Sequence, residues 1–170
     1  QLRAYARPSD LAAHKPAFAS SSTQGYEPKR ANDGLSCSTG GWEASGLNND
    51  YWQVDLGDAF VLSYIELVTR QYRALRDLVV GNEVYSAGQS PSFVDAGPER
   101  RNFEIRASNS ENGGDYVVLA QQGANALDFK GVFRAFVEDQ TPYRYIRVQK
   151  TVQERFFIAQ FRVYEIPSNP

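Results

Sequence analysis

The sequence predicts an all-β fold, an antiparallel β-sandwich of jelly-roll type with about eight strands. Three observations point there. The second half of the chain is a succession of short runs in which apolar and polar residues alternate, as in Phe103-Glu104-Ile105-Arg106-Ala107-Ser108. That is the period of a strand with one buried face. Polar, glycine-bearing clusters separate the runs, the plainest being Asn109-Ser110-Glu111-Asn112-Gly113-Gly114-Asp115, which has the composition of a tight connection. A helical period is almost absent, while aromatic residues make up 13% of the 170 positions. One domain of this length buries a substantial core.

Taken in order, residues 1–13 carry no clear period and read as an N-terminal lead-in or linker, or a short helical turn. The run 15–22 alternates, with Ala17 and Ala19 on one side and Phe18 on the other, and suits a first strand. A loop at 25–29 leads to Ala31-Asn32-Asp33, which has room for one helical turn before Gly34. Next comes Tyr51-Trp52-Gln53-Val54-Asp55-Leu56-Gly57, a strand buried on one face with Trp52 in the core, then a turn at Asp58. The strand expected over 61–70 does not keep strict alternation across Leu62, Ile65 and Leu67, so a bulge is expected near Ser63 and Tyr64.

Residues 71–101 show no clean period and contain Gly81, Gly88, Pro91, Gly97 and Pro98. So long a connection in a compact domain is usually functional or mobile; a small strand or hairpin over 79–85 is its one expected element. Five strands follow at 103–108, 116–121, 131–138, 143–150 and 156–165. The sandwich is therefore placed at 14–166, with 167–170 as a C-terminal linker. Such a fold gathers its loops at two ends, and one end usually binds.

Composition excludes several functions. The net charge is −2, with both signs spread along the chain, so there is no basic footprint for nucleic acid. No apolar run approaches the ~20 residues of a membrane helix. Gln1-Leu2-Arg3-Ala4-Tyr5 lacks the apolar centre of a signal peptide, which reads as a cytosolic protein or as a mature or excised fragment. With one cysteine, Cys37, and one histidine, His14, neither an internal disulfide nor a zinc cluster nor a hydrolytic triad can be assembled. Cys37 reads as a small packed residue and His14 as a surface or loop residue. Glu43, Asp50, Asp55, Glu66 and Asp77 supply carboxylates, but no spacing singles out a pair for glycoside hydrolysis. An enzyme is not expected.

The stretch 30–39, Arg30-Ala31-Asn32-Asp33-Gly34-Leu35-Ser36-Cys37-Ser38-Thr39, is dense in oxygen donors. Asp33-Gly34 allows the backbone to turn so that carbonyls face inward beside the carboxylate. A hard cation such as calcium takes six to eight oxygens, and Asp33, Ser36, Ser38 and Thr39 with local carbonyls could provide most of them. The same residues also suit a turn that binds nothing.

Asn32-Asp33-Gly34, the Ser/Thr cluster, Trp42, and Trp52-Gln53-Val54-Asp55-Leu56-Gly57 together resemble the discoidin type of galactose-binding-like β-sandwich. That family includes the C-type domains of coagulation factors V and VIII, fucose-binding lectins, and carbohydrate-binding modules of glycoside hydrolases. The resemblance continues through 61–70, 102–108, 143–148 and 158–164, and covers nearly the whole chain from about residue 14.

The resemblance implies a structural calcium. Its ligands would be the Asp33 carboxylate, the carbonyls of Arg30 and Leu35, a hydroxyl of Ser36 or Ser38, and Gln160 where the family usually has Glu. The amide removes one negative charge and should weaken affinity. The family's fucose lectins use a first-loop His and an Arg-x-Asp after the third strand. Arg70 fits the arginine, but Tyr72 stands in place of the Asp and Thr39 in place of the His, so that sugar is not implied.

The expected ligand cleft comprises Trp42, Glu43, Asn48, Asn49, Arg70, Tyr72, Arg73, Arg155 and Phe156, walled by the long loop. The function expected is a non-catalytic carbohydrate-binding module holding a secreted or extracellular protein, and a covalently linked enzyme domain, on a polysaccharide or glycan. The alternative is a discoidin-type phospholipid or protein-adhesion domain with Leu78-Val79-Val80 as its apolar spike beside Arg73 and Arg76. The net acidic balance and the missing disulfide count against it, and a membrane partner is not expected.

Overall fold

The computed structural model describes residues 9–35, 40–46, 49–70, 78–80, 83–85, 97–128 and 131–165. It is an antiparallel β-sandwich whose two layers share one strand, as the alternating pattern predicts. In chain order the strands are β1 (Ala17–Ala19), β2 (Trp42–Glu43), β3 (Tyr51–Val68), β4 (Leu78–Val80), β5 (Glu83–Tyr85) and β6 (Phe103–Ser108). They continue with β7 (Val117–Gln122), β8 (Val132–Phe136), β9 (Pro142–Lys150), β10 (Phe157–Ile158) and β11 (Gln160–Glu165). The larger layer runs β1-β3-β9-β6-β7, and β3 also pairs with β8 and β11 to make the smaller one.

The expected turn at Asp58 is absent: 51–57 and 61–68 are one strand of 18 residues that bends from one layer into the other. The corner is built locally. Asp55 Oδ1 accepts the amide of Gly57 at 2.8 Å, and Gly57 sits at φ +90°, where L side chains are strained. Pairing with β9 breaks its register between Asp55 and Phe60. The first half of β3 then pairs with β1 and β9, the second with β8 and β11. The bulge expected near Ser63 is present: Tyr64 faces Tyr164 while Leu62 faces Glu165, and the spare Ser63 hydroxyl donates to the carbonyls of both partners.

Between the layers, Trp52 meets Phe161 with ring centroids 5.1 Å apart, and Phe103 meets Phe133 at 5.2 Å. Ala17 and Ala19 pack on the core while Phe18 is 47% exposed, as the alternation of β1 predicts. The described part of the lead-in folds with the sandwich. Leu11 donates its amide to the Val163 carbonyl at 2.8 Å, and Ala12 is buried in the core.

Several expectations move. The helical turn is a 3-10 turn at Pro28–Ala31, before Asn32 rather than through it. The last strand splits in two, because β10 pairs with β2 and β11 with β3. The hairpin expected over 79–85 is β4 with β5. The rest of 71–96 lies outside the described residues, and no helix among those described is long and apolar enough to cross a membrane.

Candidate functional site

Each end of β3 is tied by hydrogen bonds to a segment distant in the chain. The Lys150 amide donates to the Asp50 carbonyl at 2.9 Å, and the hydroxyls of Ser20 and Ser21 both donate to Asp50 Oδ1 at 2.7 Å. At the other terminus the Thr69 amide donates to the Gly131 carbonyl at 2.8 Å, and Arg70 follows. Strand β2 reaches this end because Gly41, at φ +133°, passes so close to β10 that a Cβ there would lie 2.4 Å from the Ile158 carbonyl oxygen. Only glycine admits that approach.

Arg70 is the centre of the cluster. Its guanidinium lies 4.3 Å from the Phe157 ring centroid, a cation–π distance. Its Nη2 is 2.9 Å from Glu43 Oε2 and its Nε is 3.5 Å from Glu99 Oε2. Glu99 is buried in the 3-10 turn Pro98–Arg100, and its Oε2 has no hydrogen-bond partner. Burial pushes its carboxyl above the ordinary range, against the pull of Arg70 and Arg155. Of the residues expected in the cleft, Glu43, Arg70 and Arg155 are brought into one electrostatic neighbourhood around Glu99.

Two expected ligand residues are corrected. Trp42 is 0% exposed and Phe156 1% exposed, packed edge-on at 5.6 Å within the core, so neither presents a face to a ligand. Successive residues of a strand point to opposite sides, and it is Phe157, not Phe156, that underlies Arg70. Asn49 is exposed before β3, where the Gln149 side chain donates to its carbonyl. Asn48, Tyr72 and Arg73 lie outside the described residues.

Sequence reasoning missed Glu99, Phe157 and Tyr26, whose ring meets Phe157 edge-on at 6.2 Å. One signal was available. Pro98 followed by an acid is the composition of a helical first turn, which places Glu99 on an ordered element inside a stretch that otherwise shows no pattern.

A buried lysine ties the 3-10 turn to the sandwich. Lys150 Nζ donates to the carbonyls of Pro98 and Arg101, the latter at 2.6 Å, and lies 3.6 Å from Glu154. Burial lowers its pKa from 10.5 to about 8, with Glu154 opposing. Between those values the folded protein gives up a proton that the unfolded chain keeps, so stability should rise with pH across that window. The unfolding free energy from urea denaturation is expected to increase from about pH 7.5 to 9.5 by at most about 2 kcal/mol, and Lys150→Met should flatten the rise.

Of the expected calcium ligands, Arg30, Asp33 and Leu35 line one cavity of about 580 Å³, with His14, Lys15 and Asn32. Asp33 Oδ1 accepts the Leu35 amide at 2.8 Å. The buried Asn32 Oδ1 and Gln160 Oε1 have no hydrogen-bond partner, and the turn carrying Arg30 packs against β11, which carries Gln160. Ser36 and Ser38 lie outside the described residues. Among the described residues, no three His, Cys, Asp or Glu side chains gather to hold a metal.

No protein-family model matches the chain, and no curated protein does. Solved structures do. The lectin domain of Lectinolysin, complexed with Lewis B antigen, superposes with a TM-score of 0.65 at 22% identity, over 93% of this chain and 97% of that one. A chitosan-binding module from a chitosanase/glucanase of a Paenibacillus species gives 0.64 at 20% identity, over 92% and 98%. The family 32 carbohydrate-binding module of a C. perfringens protein, in complex with galactose, gives 0.61 at 20% identity, over 89% and 94%. The chain therefore has the galactose-binding-like β-sandwich fold.

Proposed function

We propose that the chain is a non-catalytic carbohydrate-binding module that grips a glycan through the loops around Arg70. The observation that carries this reading is the display of one guanidinium, stacked on Phe157 at 4.3 Å, between the carboxylates of Glu43 and Glu99 at 2.9 and 3.5 Å. Adjacent charged donors and acceptors suit neighbouring sugar hydroxyls, since charge-assisted hydrogen bonds are the stronger kind. Glu43, about a quarter exposed, is the acceptor a sugar hydroxyl can reach, while the buried Glu99 holds the guanidinium from beneath. Fold likeness to carbohydrate-binding modules supports the reading at the level of analogy.

Such a module, in a secreted or surface protein, works by proximity. Holding a linked domain on its glycan raises the local concentration of both without new chemistry. The test is retention on an array of galactose-, fucose- and glucosamine-bearing glycans. Binding that Arg70→Ala strongly weakens is expected. Retention of none of them, or cleavage of a bound glycan by the pure protein, overturns the reading.

The calcium belongs to the same proposal. Asn32 and Gln160 offer two buried amide oxygens without donors, which is costly unless something fills the gap. Asp33 and the carbonyls of Arg30 and Leu35 would complete an oxygen cage, with Ser36 or Ser38 contributing a hydroxyl. The ion would brace the 28–35 segment against β11. Lys15 and Lys29 line the same cavity and, with Gln160 in place of an acid, set the affinity low. Calcium at about 100 times its Kd should stabilise the fold by about 2.7 kcal/mol, raising Tm by roughly 5–10 °C. Asp33→Ala should remove the shift, and Gln160→Glu should enlarge it; a calcium-independent Tm would sink the site.

A further inference from the structure

The outer face of the smaller layer holds two cross-strand rows that the Arg70 site does not use. Ile65 and Leu67 of β3 point into the main core, so Tyr64, Glu66 and Val68 lie on the opposite side, where Val68 is buried in a smaller cluster with Phe157 and Ala159. In register, Tyr64 lies between Phe136 of β8 and Tyr164 of β11, and Glu66 lies between Arg134 and Arg162.

The first row is aromatic. Tyr64 is 5.3 Å from Phe136 and 5.8 Å from Tyr164, with ring planes inclined at 51° and 32°. Phe136 is 83% exposed, the most open large apolar side chain described. The second row is ionic: Arg134 Nε reaches one Glu66 oxygen at 2.9 Å and Arg162 Nη1 the other at 2.5 Å. Arg134 is largely solvent-exposed, and Glu66 uses one of its five donors. The larger layer differs, because its outward tyrosines Tyr51 and Tyr116 are already spent on Arg147, stacked between them at 3.8 and 4.4 Å.

These rows are continuous with the candidate site. Val68 and Val132, the next row along, are packed with Phe157 and Tyr26, and Arg70 lies on Phe157. From residue 70 to residue 64 a strand spans about 20 Å. Along that line stand a stacked arginine, an arginine–glutamate row and an exposed aromatic row. Aromatic faces take the apolar faces of pyranose rings, and guanidinium edges take their hydroxyls. The rings are tilted to one another rather than coplanar, which suits a twisted, soluble chain rather than a flat crystalline surface.

We infer that the outer face of β8-β3-β11 is a second glycan subsite, along which a chain held at Arg70 continues over Arg134 to Phe136. This rests on the glycan reading above. It makes the module selective for chain length, because each added contact acts on a ligand already tethered.

Calorimetric titration with galactose and β-1,4-linked galactan oligomers, and with glucosamine and chitosan oligomers, from one to six units, tests it. For the series that binds, affinity should climb at least tenfold from monomer to hexamer. Phe136→Ala should lose the climb and keep the monomer affinity. Phe136 is exposed enough that its removal should leave the Tm unchanged. An Arg70-dependent affinity that is flat with length, or a climb that survives in Phe136→Ala, overturns the track alone. A Phe136→Ala effect on sedimentation instead of titration assigns the face to a second copy of the chain and overturns it too. Failure of both series to bind overturns the track, and the glycan reading is judged separately by the array.

Discussion

Trp42→Ala is expected to cost about 3–5 kcal/mol of stability, a large part of the ~5–15 kcal/mol that holds a domain together. The indole is fully buried, meets Phe156 at 5.6 Å, and donates from Nε1 to the Ser21 carbonyl at 2.9 Å and to Ser22 Oγ at 3.1 Å. Truncation leaves a cavity between the β2–β10 pair and the core, and orphans the Ser21 acceptor. Because Ser21 also holds Asp50, the damage spreads to the start of β3. Urea denaturation measures the effect. Glycan affinity measured well below the variant's melting temperature should survive, since the ring touches no ligand; an unchanged urea midpoint would place the indole outside the core.

Arg70→Ala is expected to weaken glycan binding about 30-fold, the equivalent of about 2 kcal/mol. It removes the charged donor and also leaves Glu43 and Glu99 facing each other without a cation between them. The carboxyl of Glu99, already raised by burial, should rise further. A carboxyl raised in the fold stabilises while protonated and ceases to as pH climbs through its folded value. The variant should therefore lose more stability at about pH 7 than at about pH 5. Arg70→Lys keeps the charge without the planar fork, so it should restore the pH profile better than the affinity. Titration calorimetry and melts at two pH values separate these effects. Undiminished binding in Arg70→Ala would move the site elsewhere.

Much of the architecture was readable in the residues. The alternation of Phe103 to Ser108 became β6, the broken alternation at Ser63 became a bulge, and Trp52 became core. The site was readable in part. Glu43 and Arg70, 27 positions apart, were both candidates and meet at 2.9 Å. Glu99 was not: the Pro98–Glu99 pair marks a helical first turn, but only the fold sets that turn beside Arg70. Phe156 and Phe157 show the limit most clearly: alternation says that they face opposite ways, but not which one joins the main core and which the smaller cluster beneath Arg70.

Local chemistry, then, decides what each segment can be. A two-residue period makes strands, glycine and asparagine clusters make turns, and a chain with one histidine and one cysteine has little material for nucleophilic catalysis. Which faces meet is decided by long-range pairing. The bend at Gly57 carries β3 from one layer to the other. The split at Ala159 sends β10 to β2 and β11 to β3, so Trp42 goes inside and Phe136 stays outside. Two aromatic residues of similar hydrophobicity receive opposite roles because burial depends on the partner strand, and the partner lies far away in the sequence.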